Sequence, residues 1–99
     1  MLDINRTIEN GKALFTLTGR LDTTTAPELE KELKDSLDSV SELTLDFAGL
    51  DYISAAGLRV LLAAQKTMNK QGSMKLKNVN DTIMEIFEVT GFSDILTVE

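Results

Sequence analysis

Apolar and polar residues alternate along the first part of the chain. Leu2, Ile4 and Ile8 hold one register, with Arg6 intruding into it, and Ala13, Phe15 and Leu17 hold another. A period of two marks strands with one buried face. Between the runs lies Asn10-Gly11, a pair that tolerates the positive φ of a two-residue hairpin. The pattern predicts two antiparallel strands over residues 2–8 and 12–18, then a loop from Gly19 to Thr24. The period then lengthens. Ala26, Leu29, Leu33, Leu37 and Val40 recur at helical spacing, opposite Glu28, Glu30, Lys31, Glu32, Lys34 and Asp35, which describes an amphipathic helix with a solvated charged face. Thr25-Ala-Pro-Glu28 fits a capping box, and Pro27 is tolerated in a first turn.

Leu43, Leu45 and Phe47 predict a strand over residues 42–47. The small turn Ser54-Ala55-Ala56-Gly57 then opens a long helix over 55–71, with Leu58, Leu61 and Leu62 expected in the core and Met68 further on. Ser54 suits its N-cap, because a serine hydroxyl accepts from an otherwise orphan amide. Gly72 is expected to stop this helix at positive φ. Met74 and Leu76 predict a short strand. Asn80 or Asp81 caps a third helix carrying Ile83, Met84, Ile86 and Phe87, Gly91 ends it, Phe92 makes the contact that accompanies such a stop, and Ile95, Leu96 and Val98 form a last strand or tail. Strand–helix–strand units imply right-handed crossovers. The expected fold is α/β: one domain over residues 1–99, with a mixed four- to five-stranded sheet, an N-terminal antiparallel hairpin and three main helices.

Composition narrows the function. Cysteine and histidine are both absent, which removes thiol chemistry, the commonest general base and the commonest metal ligand. A net charge of −6 argues against nucleic acid, whose binders show a basic footprint. No apolar run is long enough to span a bilayer and no signal-peptide pattern opens the chain, so a cytoplasmic protein without membrane insertion is expected. Neither a Walker loop nor GxGxxG occurs, so no cofactor is expected. Asp22, Asp46 and Asp51 are candidates for a cation site, but isolated loop aspartates ordinarily cap turns, and no metal is expected. Ser54 has no histidine or spaced lysine to activate it, so the reading is not an enzyme. Arg59, Lys66 and Lys70 line one polar helix face, either solvated or set against an acidic partner. The turn at Ser54 is either an ordinary capped helix or a place for an anion, since helix N-termini favour one.

Gly19-Arg-Leu-Asp22, Leu45-Asp46-Phe47, Tyr52-Ile-Ser-Ala-Ala-Gly-Leu-Arg-Val-Leu-Leu62 and Thr90-Gly91-Phe92, in this order, resemble the STAS domain of anti-sigma factor antagonists, found also at the end of sulphate transporters. The resemblance implies a bacterial protein–protein switch. The antagonist binds an anti-sigma factor that is also a serine kinase and so frees a sigma factor. Phosphorylation of a serine at the start of the helix after the third strand breaks the complex, and a phosphatase restores it. The resemblance puts the partner surface at Asp22, Ser54, Ala55, Ala56, Gly57 and Arg59. Counted back from Gly57, the phosphoacceptor position is Ala55, which has no hydroxyl. Three readings stand: an engineered Ser-to-Ala change that locks the binding state, a natural scaffold subunit of a transport or signalling complex without a phosphoswitch, or Ser54 as a shifted acceptor.

Overall fold

The computed structural model describes residues 2–99. Asn10 and Gly11 take φ of 51° and 78° and close the hairpin between β1 (Leu2–Glu9) and β2 (Lys12–Leu21). These strands pair antiparallel from Leu2↔Gly19 to Glu9↔Lys12. The chain crosses through α1 (Ala26–Ser36) and a 3-10 turn (Leu37–Ser39) into β3 (Glu42–Ile53), parallel to β2. It crosses again through α2 (Ala55–Gln71) into β4 (Ser73–Lys77), parallel to β3. α3 (Asp81–Thr90) and a 3-10 turn (Phe92–Asp94) follow. Strand order is β1-β2-β3-β4. The tail adds no fifth strand. It makes one parallel bridge, Leu76↔Val98, in which Leu76 N–H donates to the Thr97 carbonyl and Glu99 N–H to the Leu76 carbonyl, each at 2.9 Å.

Phe15 and Leu17 of β2, Leu45 and Phe47 of β3 and Leu76 of β4 are buried with Leu29, Leu33, Leu61, Met68, Ile83 and Phe87 of the helices in one cluster. The Phe47 and Phe87 rings lie 6.5 Å apart. Arg6, the polar intruder in the apolar register of β1, reaches α1: its Nη1 donates to Glu32 Oε2 at 3.0 Å and Ser36 Oγ at 2.8 Å. A long aliphatic stem with a charged tip can cover apolar surface at such an edge.

The structure revises several sequence expectations. β2 and β3 run on to Leu21 and Ile53, because the parallel ladder continues through Gly19↔Leu50, Arg20↔Tyr52 and Leu21↔Ile53. Register shifts between Thr16 and Thr18 and between Gly19 and Arg20 break the strict alternation that would have revealed these extensions. Val40 lies beyond α1, which ends at Ser36. Leu62 is only half-buried, whereas Val60 is buried beside Leu58 and Leu61. Gly72 caps α2 at φ 172°, not in the left-handed region; glycine is needed there because any Cβ would collide with the Ser41 backbone carbonyl. Gly91 does take the left-handed form, at φ 82°. The capping box is not formed either, since Thr25 makes no side-chain cap. Asn80 does cap α3: its Oδ1 accepts from Ile83 N–H at 2.9 Å, while its Nδ2 donates to the Leu50 carbonyl at 2.9 Å and so ties α3 to β3.

Candidate functional site

The ends of β2 and β3 lie side by side, and each feeds a helix. Asp22 follows β2, Ser54 follows β3, and Ser54 N–H donates to the Leu21 carbonyl at 2.9 Å. That bond joins the two sequence-predicted segments. Ser54 has extended backbone and caps α2, its hydroxyl accepting from Gly57 N–H at 3.4 Å. The next residues differ sharply in exposure. Ala55 is exposed, Ala56 half-buried and Gly57 buried, while Arg59 on the following turn is exposed. Gly57 has no room for a side chain: a Cβ would lie 2.7 Å from Leu21 Cγ and 2.8 Å from Ile53 Cγ1. The small residues of the turn thus let α2 start directly against the strand ends, leaving Ala55 as the projecting position.

Asp22 organises the facing loop. Its Oδ1 accepts from Thr24 Oγ1 at 2.7 Å, Thr24 N–H at 3.0 Å and Thr25 N–H at 3.1 Å. A carboxylate two or three residues upstream is a stronger acceptor for these amides than a hydroxyl. Thr25 Oγ1 instead donates to the Arg20 carbonyl and accepts from Asp22 N–H, both at 2.8 Å. The Thr24 hydroxyl, with the Thr25 and Thr24 amides, holds the Asp22 carboxyl below its usual range against the opposing effect of desolvation. At Asp46 the Asn78 amide acts likewise, helped by Ala48 N–H and the charge of Lys77.

Depressed carboxyls contribute stability that is present above the unfolded Asp pKa, about 3.9, and lost as pH falls through the folded value. Urea midpoints are therefore expected to hold between pH 7 and 5 and to decline below about pH 4. The decline should be shallower in an Asp22→Asn, Asp46→Asn double variant; identical slopes would show that neither carboxyl contributes.

A groove of about 200 Å³ runs between the two helix starts, lined by Thr23, Ala26, Pro27, Glu30, Ala56, Arg59 and Val60. The sequence gives no sign that Thr23, Pro27 and Glu30 belong to this site, because only the packing of α1 on α2 brings them to Arg59. Arg20 and Tyr52 each fall in a motif of the family resemblance, but their pairing is not visible in the sequence. They are register partners, and the guanidinium sits 4.9 Å from the ring centroid, within cation–π range. The arrangement offers a small, mostly uncharged projection at Ala55, flanked by Arg59 and the Asp22 loop. Asp22 is engaged in its own loop, Asp46, inside β3, accepts from Ala48 N–H and Asn78 Nδ2, and no group of three or more potential metal ligands occurs among the described residues. Lys66 and Lys70 are exposed on α2 with Arg59. Among the described residues, no helix is long and apolar enough to cross a membrane.

Residues 3–99 match the STAS domain. The chain belongs to the STAS family. BtrV of Bordetella bronchiseptica, provisionally named an anti-sigma factor antagonist, is 36% identical to this STAS chain over 91 residues, 90% of the chain and 78% of that protein. The anti-sigma-B factor antagonist of Bacillus subtilis is 29% identical over 83 residues, 83% and 76% of the two chains. The crystal structure of an anti-sigma factor antagonist from Mycobacterium paratuberculosis superposes with a TM-score of 0.88 at 19% identity, covering 99% of this chain and 85% of the other. At that identity the likeness speaks to the STAS fold, with its mixed sheet and helical crossovers.

Proposed function

We propose that this STAS chain is an anti-sigma factor antagonist: it binds a kinase-type anti-sigma factor and so releases a sigma factor, acting by binding rather than catalysis. The observation that carries the reading is the exposure of Ala55 at the first turn of α2, where family resemblance places the phosphorylated serine. Ser54 is poorly suited to replace it, being half-buried with its hydroxyl in the helix cap. The partner surface in this reading is Asp22, Ser54, Ala55, Ala56, Gly57 and Arg59. A kinase could dock there but would find no acceptor at Ala55, and its cognate phosphatase would have no substrate.

Arg59→Glu reverses a charge beside Ala55 without touching the core. It should weaken binding to the kinase-type anti-sigma factor by about tenfold or more, as charge reversal at an interface does, with unchanged circular dichroism. Equal affinity by calorimetry would move the interface elsewhere. A second reading rests on the same missing hydroxyl: a non-phosphorylated STAS scaffold subunit of a transport or signalling complex. It predicts no binding to any kinase-type anti-sigma factor, with or without the Arg59 change.

A further inference from the structure

No lysine or arginine follows Lys77, and Asp81, Glu85, Glu88, Asp94 and Glu99 all fall in those last 22 residues. The 77 residues before them carry eleven acids against ten bases, so nearly all of the net charge of −6 resides in the C-terminal segment. Glu99 is paired with Lys75 at 3.4 Å. Among the described residues, Asp81, Glu85, Glu88 and Asp94 take part in no ion pair. The same segment displays the two most exposed large apolar side chains among the described residues, Val89 at 81% and Ile95 at 47%. On α3, Val89 shares a shallow groove of about 270 Å³ with Thr82, Glu85, Ile86 and Thr90. Neither packing nor helix propensity accounts for Val89, because it touches little and a β-branched residue weakens a helix slightly.

We propose that the outward face of α3 docks a partner protein through a basic amphipathic helix. Ile86 and Val89, three residues apart, form the apolar stripe that such a helix would cover. The unpaired carboxylates select the occupant. They repel nucleic acid and anionic membranes, and a second copy would set the same acidic face against itself. The lysines and arginines flanking a partner's apolar stripe would instead meet Glu85 and Glu88, so the electrostatics speed encounter and orient it. None of these residues lines the groove beside Arg59, so the inference is independent of the antagonist reading.

The test uses an amphipathic Leu/Lys peptide of ~18 residues, long enough to form a helix on contact, beside a lysine–serine peptide of equal charge. Amide NMR shifts on adding the Leu/Lys peptide should centre on residues 82–90. Val89→Ser, and separately Glu85→Lys with Glu88→Lys, should each weaken its binding by about tenfold while leaving circular dichroism unchanged, as expected for residues central to a small interface. The lysine–serine peptide should bind at least about tenfold more weakly. Equal binding of both peptides, indifference to Val89→Ser, or shifts centred on α2 would overturn the proposal. So would a concentration-dependent dimer in ultracentrifugation that Val89→Asp abolishes, since the occupant would then be a second copy.

Discussion

Gly72→Ala is expected to destabilise the domain by about 3 kcal/mol, the upper end of ordinary overpacking, read as a lowered urea midpoint at unchanged slope. The added Cβ would collide with the Ser41 backbone carbonyl. A backbone oxygen cannot swing aside as a side chain can. This one also accepts from Ser73 N–H at 3.0 Å, where the β3–β4 ladder begins at Glu42↔Ser73. Relieving the clash therefore means pulling the end of α2 away from the start of β3 and loosening the first rung of the ladder. Gly91→Ala is the matched control. Its φ of 82° disfavours a side chain, but nothing lies within 4 Å of the added Cβ, so the expected cost is only about 1 kcal/mol. Equal losses at the two positions would show that the Ser41 contact is not what requires glycine at Gly72.

The second large effect concerns Ala55. On the antagonist reading, the chain as written should stay unmodified when incubated with a cognate anti-sigma kinase and ATP. Ala55→Ser should gain a phosphate detectable by intact mass, because the position is exposed in the first turn and serine adds only a hydroxyl. Ala55→Glu should leave the free domain folded, since a negative charge is favoured at a helix N-terminus. It should weaken the complex by about 100-fold, the scale of an unfavourable charge forced into an interface. A phosphate mapped to Ser54 in the unaltered chain would refute the permanent-binder reading. An unmodified Ala55→Ser, together with full binding by Ala55→Glu, would remove the phosphoswitch and leave the scaffold alternative.

Local chemistry made part of this legible in the sequence. The Asn10-Gly11 turn, the Ser54 and Asn80 caps and the apolar registers of Phe15, Leu45 and Leu61 each depend on neighbours a few residues away, and the structure agrees with all of them. The extensions of β2 and β3 were hidden because two register shifts disturb the alternation. The reason for Gly72 was hidden because the obstructing carbonyl belongs to Ser41, across a helical crossover. At the candidate site, the Ser54 turn is legible from local chemistry, as an N-cap followed by small residues, and Asp22 joins it only through family resemblance. Their juxtaposition rests on the Ser54–Leu21 bond, and the groove shared by Thr23, Glu30 and Arg59 exists only once α1 lies on α2. Contacts between distant segments leave no periodic trace in the residues that make them.

The bridge between Leu76 and Val98 bears on self-assembly. β4 is the last strand of the sheet, and a bare edge offers unpaired amides and carbonyls to any passing strand. Leu76 spends its N–H and its carbonyl on the tail, and the Lys75–Glu99 pair adds a second hold. The tail therefore works as a stopper on that edge. If it frays, what remains to discourage aggregation is the pair of charges Lys75 and Lys77 flanking the apolar Leu76, which makes the last few residues a determinant of solubility as well as of shape.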